Sequence, residues 1–245
     1  MVASDTLAAP TDASRSDLSA CWDAYSGGGL AFSDQTVHIL VMAQQTSTRM
    51  PRGRPREFDT DAAVERAMGV FWSCGYHGTS LPDLLEATNL SRGSLYAAFG
   101  DKHGLFLCAL DRYIDDALAR LGTELDPRKN TLAGLRTCLA GYVDRTSGIS
   151  SKRGCLVVAT AMELAAHDTE VEQRIRRFFK RMGTRLTEAL ARAQAAGQLA
   201  DGVEPATAAR LLLCLVEGMR VVGKTGPDRT MSQAVVQTLI DRFAK

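Results

Sequence analysis

The chain has 245 residues, of which 45% are hydrophobic; that length suits one domain of roughly 200 residues or two smaller ones, each able to bury a core without staples. Its 29 Lys plus Arg stand against 28 Asp plus Glu, and the resulting formal charge of +1 does not by itself mark a nucleic-acid binder. Apolar-rich runs such as 156–161 fall far short of the ~20 residues that span a bilayer, and the first 14 residues hold no Lys or Arg and lead into no apolar core, so neither a membrane span nor a signal peptide is expected and the cytoplasm is the expected location.

Charge is distributed unevenly along the chain. Residues 1–48 hold five Asp and one Arg, residues 49–103 hold seven basic and seven acidic groups, and residues 104–245 hold 21 basic and 16 acidic groups. The first stretch is rich in Ser, Thr, Ala, Asp and Gly and has no sustained helical or strand period, which predicts a disordered extension over 1–49. Met50 opens a segment that reads like the natural beginning of a protein, and Met42 is a second such position, so a start site later than Met1 is expected. Arg49, Arg52, Arg54 and Arg56 then lie within eight residues that contain no acid.

From residue 58 onward the period is helical. Val64, Ala67, Met68, Phe71 and Trp72 form one apolar stripe of a helix that stops at Gly75. Thr79 or Ser80 caps a short second helix with Pro82 in its first turn and Leu84 and Leu85 inside, and Thr88-Asn89 breaks it, since Asn tolerates a left-handed turn. Ser91 caps a third short helix over 92–98, with Leu95 and Phe99 on its buried side. Asp101 caps a longer fourth helix that runs through Leu121. Further helices are expected over 130–146, 155–166, 169–196, 205–222 and 230–243, about nine in all. No segment alternates with period two between turns, so the fold class is all-α.

Two short helices joined by a tight turn behind a longer apolar helix make a helix-turn-helix. The second of such a pair enters the major groove with its N-terminal residues on base edges, and those residues are Ser91, Arg92, Gly93 and Ser94. Arg92 is the one able to bind guanine bidentately, Gly93 lets the backbone approach closely, and Ser94 adds a small hydroxyl. The stretch GYHGTSLPDLLEATNLSRGSLYAAFGDK, residues 75–102, resembles the DNA-binding signature of the TetR family of bacterial transcriptional regulators. The resemblance implies that Thr79 and Ser80 sit near phosphate, that Arg92, Gly93 and Ser94 face bases, and that Tyr96 and Lys102 contact the backbone. Asn89 replaces the family's usual Gly, and Ala97-Ala98 replace larger residues, leaving fewer side chains to touch DNA.

The domain organisation expected is therefore the extension 1–49, a basic arm with helix-turn-helix over 50–104, and a helical ligand-binding and dimerisation domain over 105–245. Leu212, Leu215, Val216 and Met219 belong to a segment too apolar all round for an exposed helix, and Val235, Leu239 and Phe243 form a second stripe. Both are assigned to a homodimer interface, which would let two recognition helices read half-sites about one turn apart. Tyr142, Cys155, Met162 and Phe178 are candidate liners of an effector pocket, as the resemblance implies. None of the six cysteines forms a CxxC pair or a Cys/His spacing suited to zinc, so neither metal nor other cofactor is expected. Cys155 follows Lys152-Arg153-Gly154 near a helix start, a setting that favours a thiolate and makes it a candidate redox or electrophile sensor.

The resulting expectation is a dimeric regulator, a repressor that occupies a palindromic double-stranded operator and is released by a small-molecule effector. The alternatives are a thiol-based sensor of the same architecture and, in a different class, a small thiol-dependent enzyme built on Cys155 and His167; the chain has no GxSxG, HExxH or phosphate loop. The arm Pro51-Arg52-Gly53-Arg54-Pro55-Arg56 resembles an AT-hook core, in which arginines on an extended backbone lie in a narrow minor groove. Truncation of the chain to Glu57 is expected to weaken operator binding and flatten its salt dependence; an unchanged slope of affinity against salt would rule out a DNA role for Arg52 and Arg54.

Overall fold

A computed structural model describes residues 58–126, 128, 131–147, 149–226 and 228–245. The extension, the later start and the arginine arm, with Arg52 and Arg54, lie outside the described residues. Within them the chain forms nine α-helices and one short 3-10 turn, in agreement with the all-α expectation. The only extended pairing among the described residues is a single bridge between Leu199 and Ala244.

The first four helices are set by local capping chemistry. α1 (Thr60–Gly78) starts at Asp59, whose carboxylate accepts the Ala62 N–H at 3.1 Å. Its regular part is broken at Gly75, with φ 75° and ψ 175°, in agreement with the expected stop. α2 (Leu81–Thr88) begins with a reciprocal cap: Asp83 N–H donates to Ser80 Oγ at 3.3 Å while Ser80 N–H donates to Asp83 Oδ2 at 2.7 Å. Asn89 ends it in the left-handed region, φ 55° and ψ 34°. α3 (Arg92–Phe99) is capped by Ser91, and α4 (Lys102–Glu124) by Asp101, which accepts the Gly104 N–H at 2.7 Å.

The remaining helices are α5 (Thr131–Thr146), α6 (Leu156–Leu164), α7 (Thr169–Ala195), α8 (Pro205–Thr225) and α9 (Arg229–Phe243), with the 3-10 turn Ile149–Arg153 before α6. α7 buries Val171, Ile175, Phe178, Met182, Leu186 and Ala189 on one stripe, as the sequence spacing predicts. Its arginines turn outward or to neighbouring helices: Arg174 pairs with Asp111 at 3.1 Å, and Arg185 donates to the Leu118 carbonyl. Asp168, the cap of α7, also meets His103 Nε2 of α4 at 2.6 Å.

One continuous core joins these elements. Phe71 of α1 packs edge-on against Phe106 of α4, with ring centroids 5.0 Å apart, and Tyr76 lies 4.9 Å from the same ring. Phe71, Leu84, Leu95 and Phe106 are all fully buried, so α2 and α3 are pinned onto α1 and α4 through single leucines. At the α3–α4 corner a side-chain carbon added at Gly104 would lie 2.0 Å from the Phe99 carbonyl oxygen. Gly104→Ala is therefore expected to destabilise the protein by about 1–3 kcal/mol through overpacking against backbone, read as a lowered Tm; an unchanged Tm would show that this corner is looser than the geometry requires.

Candidate nucleic-acid interface

α3 presents its N-terminal turn to solvent. Arg92 and Gly93 are exposed, Ser94 is half-buried, and Leu95 behind them is fully buried. Ser91 Oγ accepts the Ser94 N–H at 3.0 Å and lies 2.9 Å from Ser94 Oγ, so the two hydroxyls fix the turn that displays Arg92. Nothing inside the molecule calls for glycine at 93: an added carbon would meet only Ser91 Oγ at 3.8 Å, an ordinary contact. The open space above Gly93 is available to an approaching surface.

Around this turn the sequence-predicted residues divide. Tyr96 is exposed on the same short helix, and Ser80 is exposed at the start of α2, its hydroxyl donating to Asp83 at 2.7 Å. Lys102 is half-buried with Nζ 4.4 Å from the centre of the Tyr76 ring, a cation–π contact. Burial lowers its pKa, opposed by the carboxylates of Glu163 and Asp83. Thr79 corrects the expectation of a phosphate contact. It is 1% exposed, and its hydroxyl donates to the Gly75 carbonyl at 2.6 Å, so it ties the end of α1 to the start of α2 instead.

The two C-terminal stripes also divide. Leu212, Val216, Met219 and Phe243, expected at a subunit interface, are buried in the chain's own core, and Leu215 and Leu239 are packed against it. These belong to the inner faces of α8 and α9, because both helices are apolar on more than one side and spacing alone does not say which side turns in. Val235 is 40% exposed, and Leu211, Val221, Val222 and Met231 are the other large apolar side chains of the pair that face solvent.

Of the expected pocket liners, Met162 is 86% exposed on α6 and so lines no enclosed space. Phe178 is fully buried against Phe179, with ring centroids 5.4 Å apart. Tyr142 and Cys155 are brought together, and the residue between them is Arg220 of α8. Arg220 Nη1 donates to Cys155 Sγ at 2.8 Å and to Glu217 at 3.2 Å, and its guanidinium lies 5.1 Å from the Tyr142 ring. Tyr113 of α4 donates its hydroxyl to the same sulfur at 3.4 Å. Burial pushes the Tyr142 phenol up to about 12 and the Tyr113 phenol higher still. Burial works against the charge of Arg220, but its electrostatic contacts with Cys155 and Glu217 outweigh it and hold its pKa above the ordinary value. For Glu217 burial wins and raises the carboxyl in spite of Arg220.

Sequence reading assigned the basic neighbours of Cys155 to Lys152 and Arg153. Arg153 instead turns to α1, where it lies 4.2 Å over the Trp72 ring. The signal for the true neighbour was present: Glu217 and Arg220 are a charged pair three residues apart inside the apolar run from Leu211 to Val222. His167 is exposed beyond the far end of α6 from Cys155, across about 14 Å of helix, so the two form no nucleophile and base pair. Among the described residues no cluster of His, Cys, Asp or Glu is arranged to hold a metal ion, and no helix is long and apolar enough to cross a membrane.

A capped, solvent-facing recognition turn on a two-helix unit, carried by a helical C-terminal domain, defines a helix-turn-helix DNA-binding protein. Residues 63–109 match the model for bacterial regulatory proteins of the tetR family, and residues 131–239 match the tetracyclin repressor-like C-terminal domain. The chain is similar to the HTH-type transcriptional repressor ComR of Escherichia coli, 32% identical over 176 residues that cover 71% of this chain and 84% of ComR. It is also similar to YezE, an HTH-type transcriptional regulator of Bacillus subtilis, 33% identical over 151 residues covering 60% of this chain and 76% of YezE. A cysteine mutant of the TetR-family regulator CifR, solved on 26-base-pair operator DNA, superposes with a TM-score of 0.69 at 33% identity and covers 78% of this chain and 100% of CifR. The reduced form of E. coli NemR shares the fold, with a TM-score of 0.69 at 19% identity over 76% of this chain and 96% of NemR. The chain belongs to the TetR family of bacterial transcriptional regulators.

Arg92→Ala is expected to weaken operator binding by about 1–3 kcal/mol per half-site with an unchanged Tm, because the side chain is exposed and supports no core contact. Fluorescence anisotropy on DNA flanking the protein's own gene measures it; binding equal to the wild type would remove Arg92 from base readout.

Proposed function

We propose that the protein is a repressor that binds a palindromic operator as a homodimer, with the α3 turn of each copy in a major groove. The observation that carries this reading is the exposed Arg92-Gly93-Ser94 turn held by the Ser91 cap. It is supported by the family membership and by the operator complex of CifR. Residues 50–104 act as the DNA-binding module and 105–245 as the regulatory and dimerisation module. The exposed apolar side chains Leu211, Val221, Val222, Met231 and Val235 on α8 and α9 mark the face that a second copy covers.

Release follows from chemistry in the C-terminal domain, either by a small-molecule effector or by modification of Cys155. The second route is favoured by the contact of Arg220 with Cys155 Sγ at 2.8 Å, which places a cation against the sulfur. Cys155 is 5% exposed, so small reagents are selected over bulky ones. Addition to the sulfur inserts new atoms among Arg220, Tyr113 and Tyr142, and a packed core answers by changing arrangement rather than by local compression.

In a background with the exposed Cys108 and Cys214 replaced by Ser, N-ethylmaleimide is expected to lower operator affinity about tenfold or more, and Cys155→Ser is expected to keep operator binding while abolishing the response. An equal response with and without Cys155 would assign release to an effector held elsewhere.

A further inference from the structure

α6 grips α1 at two points. Before its first turn, Trp72 Nε1 donates to the Gly154 carbonyl at 3.2 Å, and Arg153 Nη2 donates to the Gly69 carbonyl at 3.2 Å. In its last turn, the Glu163 carboxylate accepts the Tyr76 N–H at 3.0 Å through Oε2 and the His77 N–H at 2.7 Å through Oε1. Those two donors lie immediately after Gly75, where the regular helix is broken. A broken helix turn offers N–H groups and positive dipole to an anion, and hydrogen bonds to a carboxylate are among the stronger ones. The fit is close: a side-chain carbon at Gly75 would come within 3.0 Å of Glu163 Oε2, and Gly75 already needs a positive φ.

The reading unit begins directly beyond this clasp. Thr79 Oγ1 donates to the Gly75 carbonyl, Thr79 N–H to the Tyr76 carbonyl at 3.3 Å, and α2 begins two residues later. Only Gly78 to Ser80 separate the clasped turn from the start of α2. The direction in which α2 and α3 leave α1 is thus set at the residues that Glu163 holds.

We infer that Glu163 is a positioning residue for DNA recognition: its carboxylate fixes the Tyr76–His77 turn, orients α2 and α3, and is the point through which the C-terminal domain acts on them. The inference deepens the proposed function and rests on it. α6 carries Cys155 at its N-cap and Glu163 in its last turn, so one rigid helix of nine residues joins the reactive sulfur to the clasp. A shift imposed at the sulfur end is delivered to Tyr76 and His77 as a lost or displaced pair of hydrogen bonds.

The test compares Glu163→Ala, Glu163→Gln and Met162→Ala in the full chain, by operator anisotropy, Tm and amide hydrogen exchange at Tyr76 and His77. Glu163→Ala is expected to weaken operator binding about tenfold at nearly unchanged Tm, with faster exchange at those two amides and little further loss on maleimide treatment. Glu163→Gln, which keeps one acceptor oxygen, is expected to recover part of the affinity, and Met162→Ala, an exposed neighbour on the same helix, to match the wild type. The inference is overturned if Glu163→Ala binds operator as the wild type does, or if Ala and Gln lose affinity alike and in step with Tm. A wild type that ignores maleimide would sink the Cys155 route alone, because affinity and the Ala-to-Gln order still judge the clasp; intact binding by Arg92→Ala would sink the α3 reading instead.

Discussion

The two helices that face DNA have almost no core of their own. α2 fully buries Leu84 and Thr88, and α3 buries Leu95. The pair therefore takes its shape from its surroundings. α1 and α4 supply the apolar floor through Phe71 and Phe106, and the caps at Ser80, Ser91 and Asp101 fix where each helix starts. A reading surface built this way is displaced whenever its supports move.

How much of this could be read from sequence depends on the range of the interaction. The caps Ser91 and Asp101, the Asn89 turn and the break at Gly75 depend on residues within four positions of one another and were legible, while the cap of α2 was narrowed to Thr79 or Ser80 and is Ser80. The stripe of α7 was legible because its opposite face is strongly charged. α8 was not, since an apolar helix with Leu211, Leu212, Leu213, Leu215 and Val216 in close succession has no single inner side until its neighbours choose one. Thr79 failed for a related reason: its hydroxyl is satisfied by Gly75 only because the chain breaks there. The contacts of Cys155 with Arg220 and of Glu163 with Tyr76 and His77 span 65 to 87 residues, so the sequence marks Glu217 and Arg220 as an unusual pair without saying what they meet.

Charge also reads differently in three dimensions. The overall +1 concealed both an arginine-rich arm and a largely buried Glu217–Arg220 pair. Such a pair loses hydration on both partners, and replacing it by apolar side chains of similar volume is often neutral or stabilising. Its value to the fold is thus small. Placed between Cys155, Tyr113 and Tyr142, it instead keeps a cation against the sulfur inside an otherwise apolar core, which accounts for a costly pair at that position.

Trp72 is the single tryptophan among the described residues, and it stands where α1 meets the C-terminal domain. Its indole N–H is donated to Gly154, Arg153 covers one face, and the Tyr113 ring meets it edge-on with centroids 4.8 Å apart. Tyr113 in turn touches the Cys155 sulfur. The molecule thus carries an optical reporter at this contact: indole emission responds to nearby charge and hydrogen bonding, so a shift of α6 against α1 would register in its spectrum without an attached dye.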